Sequence, residues 1–379
     1  MAYKLLFAAG GTAGHINPAL AIADKFKSVF LDTEVLFIGT PDGMEARLVV
    51  KAGYPFTGVS LAGLQRSLSP KNFVRNAKAA YWLASSPVKL RRIIKEFAPD
   101  VVVGTGGYVS LPVLLAAHRL GIKTVNHESN SLPGLSTKAL ARTANYILTA
   151  DEAAVSHISR KEKCIVTGNP LRANITVANR ADCLTKLGLP DGITILSFGG
   201  SRGAESLSDA VAHLIGEERR IGNINHIHAY GTGREAAFLE SLAKYGAVPD
   251  PDRTILGEYI YNMYTCYGAA DLVIARSGAM TISELKAAGK ASVLVPWSGA
   301  AENHQYFNAQ SLVEKNAAAL ITDEELTPEK LCEVVLPLIA EREKLAEMGR
   351  NAAALMVPDS AGKIVSILLD LINKESPSL

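Results

Sequence analysis

The chain has 379 residues, more than one ordinary core holds and enough for two domains. Its composition, 48% hydrophobic and 20% charged, is that of a globular protein rich in turns, and a net charge of +2 gives no global field to mark a nucleic-acid binder. Cys164, Cys183, Cys266 and Cys332 are scattered without zinc or CxxC spacing, which points to a reduced compartment.

The N-terminus lacks a long apolar core, so no targeting peptide is expected. The first predicted strand is Lys4–Ala8, followed by Gly10-Gly11-Thr12-Ala13-Gly14-His15-Ile16-Asn17-Pro18. Asn17 suits a helix N-cap and Pro18 a first helical position, so this loop would deliver backbone N–H groups where an anion can bind. The glycine spacing is not GxGxxG, and there is no Walker lysine. His15 stands at the carboxyl end of a strand, where open α/β sheets place their chemistry, and a neutral imidazole there could take a proton from an attacking hydroxyl. The plainer alternative is a histidine that only hydrogen-bonds within its loop.

A second strand is predicted at Glu34–Ile38. The stretch 46–95 contains no Asp or Glu and carries ten basic residues, Arg75 and Lys78 among them, interleaved with aromatic and aliphatic residues that include Tyr81 and Trp82. Arg75, Lys78 and Trp82 share a face if this part is helical. Basic plus aromatic is how a protein sits on an anionic leaflet. RNA binding gives the same local signal, but no recognised nucleic-acid module accompanies it. Residues 101–117 form the most apolar stretch; Gly104, Gly106, Gly107 and Pro112 break it, so a buried strand, turn and helix fit better than a membrane span.

Further strands are predicted at Val101–Gly104, Thr124–His127, Tyr146–Leu148 and Ile165–Thr167. His127-Glu128-Ser129-Asn130 invites a metal or acid/base role, but no third ligand stands at recognisable spacing. Gly168-Asn169-Pro170 reads as an interdomain turn. A second series follows at Thr194–Phe198, Asn225–Ala229, Thr254–Leu256, Leu272–Ala275 and Ser292–Val295. Strands alternating with helical stretches imply parallel sheets covered by helices. In the second series Gly199-Gly200-Ser201-Arg202-Gly203 repeats the glycine turn. Asp250-Pro251-Asp252 matches a DxD metal motif only formally. Thr281 and Glu284 fit either a capping box or, for Glu284, a carboxylate accepting two ribose hydroxyls. Asn303, His304, Gln305 and Asn308 gather at a helix entry, where they could read sugar hydroxyls, although N-capping accounts for Asn303.

The blocks GGTAGHINPALA (10–21), GTGGYVSLP (104–112), HESNSLPG (127–134), TGNPLR (167–172), GGSRGA (199–204), EYIYNM (258–263), RSGAMTISE (276–284) and ENHQYFNA (302–309) occur in one order over most of the chain. Together they resemble the MurG family, the peptidoglycan GlcNAc transferases. GGxxGH alone is shared with related transferases; the later blocks are more specific. The resemblance implies a GT-B fold, two Rossmann-like doubly wound α/β domains separated by a cleft. Residues 1–168 would form the acceptor and membrane-facing domain and 169–357 the UDP-GlcNAc-binding domain, with 358–379 packing back on the first.

It further implies an inverting transfer of GlcNAc from UDP-GlcNAc to the 4-hydroxyl of the muramyl pentapeptide of lipid I, forming lipid II. His15 would be the base. Thr12, Ala13 and Gly14 would line the donor site, and Asn130 would contact the sugar. Arg172 and Ser201 would meet the nucleotide and its phosphates, and Ile260 would hold uracil through its backbone. Ala279, Met280, Thr281, Ile282, Ser283 and Glu284 would bind the diphosphate side and ribose, and Gln305 the GlcNAc hydroxyls. No cofactor, metal or nucleic acid is expected. The implied partners are UDP-GlcNAc, lipid I, an anionic membrane surface met peripherally at the cytoplasmic face through Arg75, Lys78, Tyr81 and Trp82, and proteins of wall synthesis. Two positions depart from the family pattern: Ala13 replaces a usual glycine, and His304 stands where some members have Gln. Three readings remain beside this one: another GT-B glycolipid transferase, a UDP-GlcNAc 2-epimerase, or a non-catalytic nucleotide-sugar or lipid-binding scaffold.

Overall fold

The structure, a computed structural model, describes residues 2–61, 86–171, 179–200 and 202–374. The chain forms two compact units, residues 1–173 with 357–379, and residues 174–356. From sequence the boundaries are expected at 168/169 and 357/358.

The first unit carries β1 (Lys4–Ala8), α1 (Ala13–Val29), β2 (Glu34–Gly39), α2 (Met44–Lys51), β3 (Phe56–Gly58), helical residues 86–97 (α3), β4 (Val101–Gly104), α4 (Gly107–His118), β5 (Lys123–Glu128), α5 (Leu135–Leu140), β6 (Tyr146–Thr149), α6 (Glu152–Ser156) and β7 (Cys164–Val166). Its seven strands are all parallel, in the order β3-β2-β1-β4-β5-β6-β7. A parallel sheet is buried on both faces, and alternate residues of β1 serve different cores. Leu5 and Phe7 join one apolar cluster with Ile16, Leu20 and Phe26 of α1; Leu6 and Ala8 join the other with Val109 and Val113 of α4. The C-terminal helix, Ser360–Asn373, belongs to this unit and buries Ile364, Val365, Leu368 and Leu371 in the cluster that holds α1. The apolar stretch 101–117 is β4, a turn and α4, as the glycines suggested. Among the described residues, no helix is long and apolar enough to cross a membrane.

The second unit carries α7 (Arg180–Leu187), β8 (Ile193–Phe198), α8 (Glu205–Ile221), β9 (Ile224–Ala229), α9 (Glu235–Lys244), β10 (Thr254–Gly257), α10 (Met263–Ala269), β11 (Leu272–Ala275), α11 (Ala279–Ala288), β12 (Ala291–Leu294), α12 (His304–Val313), β13 (Ala318–Leu320), α13 (Pro328–Ala340) and α14 (Arg342–Ala354). Its six parallel strands run β10-β9-β8-β11-β12-β13. In both sheets the order reverses beside the first strand, between β1 and β4 and between β8 and β11. Doubly wound sheets bind ligands at such switch points, outside the carboxyl ends of the strands.

A polar chain crosses the core of the second unit. Both oxygens of Glu218 meet His226 Nδ1, at 2.9 and 2.8 Å. His226 Nε2 lies 2.7 Å from Ser197 Oγ, which lies 2.7 Å from His228 Nδ1, and His228 Nε2 is 3.2 Å from Ser208 Oγ. Burial, with His226 adding to it, pushes His228 down to a pKa of about 3, so it stays neutral. Removing one member strands the rest in a dry interior. Glu218→Ala is therefore expected to destabilise the unit by about 3–5 kcal/mol, read as a lower urea midpoint with an unchanged slope. An unaltered midpoint would mean that the chain contributes nothing to stability.

Candidate active site

At the switch point of the first unit, β1 is followed by Ala9 and two glycines before α1 begins. The helix starts earlier than the Asn-Pro pair suggested. Thr12 is the N-cap, its carbonyl accepting from the amides of His15 (3.1 Å) and Ile16 (3.2 Å). Gly11, at φ +92°, turns the chain out of the strand, so the helix is already under way by Ala13. Asn17 is thus helical, and Pro18 lies in the second turn, where its missing N–H leaves the Gly14 carbonyl without an i+4 donor. Ala13 occupies the first helical position, a backbone that alanine adopts without strain.

His15 consequently projects from the first turn of α1 rather than from a loop. Its Nδ1 lies 3.1 Å from the Gly10 carbonyl oxygen and 3.4 Å from Thr12 Oγ1. A carbonyl only accepts, so Nδ1 carries the proton of the neutral ring and Nε2 carries the lone pair. The turn after β4 packs on the same imidazole. Thr105 Oγ1 donates to the His15 carbonyl at 2.7 Å. A Cβ at Gly106 would reach within 2.7 Å of the ring, and one at Gly107 would overlap the Gly10 carbonyl oxygen. Both glycines have positive φ, +105° and +76°. From sequence these glycines only break the apolar stretch; the signal for a site was a Gly-Gly pair at the carboxyl end of a buried strand.

The His-Glu pair that follows is structural. His127 is fully buried with Nε2 3.1 Å from the Gly168 carbonyl, and burial lowers its pKa. Glu128 organises its own loop: Oε1 accepts from the amide and side chain of Asn130, both at 3.0 Å, and Oε2 from the Gly134 amide (3.1 Å) and Thr137 Oγ1 (2.6 Å). Asn130 is thereby held, half-buried, beside the end of β5. Among the described residues, no three His, Cys, Asp or Glu side chains gather as a metal-binding group. Asp250-Pro251-Asp252 lies before β10, at the amino ends of the strands, with Asp250 paired to Arg219. That is the end of the sheet opposite the switch point.

In the second unit, the turn after β8 needs its glycines for close approach. A Cβ at Gly199 would collide with the Ala204 amide, and one at Gly203 with the Tyr230 carbonyl. Arg202 is exposed there. Beyond β10, the Ile260 side chain packs against the core, whereas its neighbours Tyr259 and Tyr261 are exposed, their ring centroids 5.1 Å apart. Beyond β11, Gly278 caps α11, and the first turn, Ala279-Met280-Thr281, opens at the positive end of the helix dipole. Thr281 is inside the helix, so the capping box does not form. Ile282 is buried and its N–H donates to the Gly278 carbonyl, so it serves the core rather than a ligand. Ser283 Oγ donates back to the Ala279 carbonyl at 3.0 Å.

Glu284 lies in the second turn of α11, half-buried, and accepts a 3.0 Å hydrogen bond from Tyr267. Burial raises its carboxyl to a pKa of about 7, and the tyrosine only partly offsets this. After β12 the chain turns through Glu302 and Asn303, both left-handed at φ +54°. Asn303 is the N-cap of α12, but its side chain makes no capping bond. Strain of this kind, about 1–3 kcal/mol per residue, concentrates at functional loops. Gln305 Oε1 accepts from the Trp297 amide at 3.0 Å, which leaves its NH₂ as the group to offer a ligand. His304 Nδ1 is 2.6 Å from the Ala301 carbonyl. The largely buried Arg276, a residue given no role from sequence, ties this loop down through the Val295 and Pro296 carbonyls, Asp323 (2.7 Å) and Ser206. Arg172, Ser201, Arg75, Lys78, Tyr81 and Trp82 lie outside the described residues.

Residues 5–149 match the glycosyltransferase family 28 N-terminal domain, and residues 194–364 the glycosyltransferase family 28 C-terminal domain. Over 374 residues, 98% of this chain and 99% of its relative, the sequence is 38% identical to the UDP-N-acetylglucosamine–N-acetylmuramyl-(pentapeptide) pyrophosphoryl-undecaprenol N-acetylglucosamine transferase of Acetivibrio thermocellus. The chain belongs to this family. The Desulforudis audaxviator member is 41% identical over 98% of this chain and 99% of its own length. The crystal structure of Acinetobacter baumannii MurG superposes with a TM-score of 0.77 at 27% identity, covering 97% of this chain and 99% of that one. The GT-B architecture of MurG is therefore the architecture of this chain, with each of its two sheets forming one Rossmann-like unit.

Proposed function

We infer that the chain transfers GlcNAc from UDP-GlcNAc to the muramyl-pentapeptide of lipid I, forming lipid II in peptidoglycan synthesis. The observation that carries this is 38–41% identity over nearly the whole chain to transferases of that name. The chemistry assigned to the residues is an inverting displacement in which the 4-hydroxyl of the muramyl sugar attacks the anomeric carbon as UDP departs from the opposite face. His15 Nε2 takes the hydroxyl proton. In the second unit the first turn of α11 faces the diphosphate, where the helix dipole stabilises charge developing on the leaving group. Glu284 accepts the ribose hydroxyls, the Ile260 backbone meets uracil, and the Gln305 NH₂ reads the sugar. Thr12, Ala13, Gly14 and Asn130 are assigned to the donor sugar, and Arg172 and Ser201 to the nucleotide and its phosphates.

The acid-poor run with Arg75, Lys78, Tyr81 and Trp82 suits peripheral binding to the anionic cytoplasmic face of the membrane, where lipid I is met and where wall-synthesis proteins would join. Labelled UDP-GlcNAc incubated with lipid I in anionic vesicles is expected to give labelled lipid II, with UDP-GalNAc and UDP-glucose much poorer donors and neutral vesicles slower. Absence of lipid II from every vesicle would reject the transfer; equal rates on neutral vesicles would reject the membrane assignment alone.

A further inference from the structure

A buried acid beside the first switch point has no part in the roles above. Glu45, in the first turn of α2, is fully buried. Its Oε1 accepts from the amide and hydroxyl of Thr40 at 2.9 and 2.6 Å, and its Oε2 from the Gly11 amide at 3.2 Å. Burial raises a carboxyl, but these donors more than reverse that and hold Glu45 below its ordinary pKa, so it is an anion. Three glycines make room for it. A Cβ at Gly10 would come within 2.8 Å of its Oε1, and at Gly39 or Gly43 closer still to the side chain.

The Gly11 amide and the Gly10 carbonyl are the two ends of one peptide unit. That unit is planar and trans, so its N–H and C=O point in opposite directions and turn together. One end is gripped by Glu45; the other is the group that His15 Nδ1 meets at 3.1 Å. A peptide flanked by two glycines, one of them at φ +92°, has little intrinsic resistance to rotation, so an external anchor decides which way it faces. We propose that Glu45 is a positioning residue for His15, acting through the Gly10–Gly11 peptide as a carboxylate–peptide–imidazole chain. The carboxylate fixes the direction of the carbonyl, and the carbonyl fixes the proton on Nδ1, which leaves the lone pair on Nε2. Hydrogen bonds in series polarise one another, so the anion also strengthens the carbonyl as an acceptor and raises the basicity of Nε2. The same grip takes the Gly11 N–H away from any phosphate and places a fixed negative charge behind this turn. The first glycine turn thus suits a neutral hydroxyl, and the anion-binding role expected of it is confined to the helix start at Ala13 and Gly14. The proposal rests on His15 being the base.

Glu45→Gln keeps the shape but presents an amide NH₂ among donors, so the Gly11 or Thr40 contact is lost. Turnover is expected to fall about 10- to 100-fold, the cost of a small misplacement of a reacting group, with KM for UDP-GlcNAc unchanged. The acidic limb of the rate profile should move to lower pH. In a His15→Ala background the same change should cost no further turnover. Nitrogen NMR of histidine-labelled protein gives a readout that needs no activity: at pH 8 the wild-type His15 proton should sit on Nδ1, and in Glu45→Gln it should redistribute toward Nε2. A wild-type proton on Nε2, or an unchanged tautomer with full turnover in Glu45→Gln, overturns the proposal. An active His15→Ala enzyme with the expected tautomers would instead reject the base assignment and leave the chain of contacts standing.

Discussion

Replacing His15 with alanine is expected to lower turnover by about 10²- to 10⁴-fold, the usual contribution of a positioned general base, while leaving UDP-GlcNAc affinity nearly unchanged. The separation follows from where the side chain is held. Its ring contacts include Gly10, Thr12 and the Gly106-Gly107 turn of the first unit, whereas Glu284 and Ile260, assigned to the nucleotide, and Gln305, assigned to the sugar, belong to the second. The loss belongs in kcat, because the proton is transferred only as the hydroxyl attacks. Single-turnover rates with saturating lipid I, beside UDP-GlcNAc titration calorimetry, give the two quantities separately. Full turnover would remove His15 from the mechanism, and an equal loss of donor affinity would make it a binding residue.

The second large effect is expected at Glu284. Its carboxyl, raised by burial to about 7, is half protonated near neutrality, whereas accepting two ribose hydroxyls requires the anion. UDP should therefore bind about tenfold more tightly at pH 8 than at pH 6 and release a proton as it does so. Removing the carboxylate costs charge-assisted hydrogen bonds of about 1.5–3 kcal/mol each. Glu284→Gln should accordingly bind UDP at least about tenfold more weakly at pH 8 and lose the pH dependence. Stability carries the opposite sign. Between the ordinary 4.5 and about 7 the folded protein keeps a proton that the unfolded chain has lost, so this group's contribution falls as pH rises through that window. Calorimetry in two buffers of different ionisation enthalpy checks both affinity and proton release. A flat affinity from pH 6 to 8 together with an unchanged affinity in Glu284→Gln would show that the carboxyl does not meet the ribose.

Much of the architecture was legible because each long strand is a short apolar run closed by a turn signal, and the core of a parallel sheet demands such runs on both faces. The two strands that escaped, Phe56–Gly58 and Ala318–Leu320, are three residues long and lie at sheet edges, too short for a period of two to show. The start of α1 was misplaced because an Asn-Pro pair is a local signal, while the true start depends on the left-handed turn at Gly11. The same limit applies to Thr281 and Glu284, whose spacing mimics a capping box until Gly278 is seen to cap the helix.

Of the residues assigned to the candidate site, those carried by motifs are legible in the sequence: His15, the glycine turns, Glu284 and Gln305. Those that act by tertiary contact were not. Glu45 meets Gly11 across 34 residues, Tyr267 meets Glu284 across 17, and Arg276 meets Asp323 across 47. No local pattern encodes such pairs, which exist only because strand order brings neighbouring βα turns together. The buried run Glu218, His226, Ser197, His228 and Ser208 is hidden for the same reason, since polar residues in a strand look like a defect until their partners are found.

The stereochemistry of the product bears on the central claim most directly. When UDP-GlcNAc labelled at the anomeric carbon is turned over with lipid I, carbon NMR of the released disaccharide should report a β linkage to the muramyl 4-position. An α linkage, or label recovered only as free sugar or its 2-epimer, would contradict in-line displacement by a hydroxyl that His15 deprotonates.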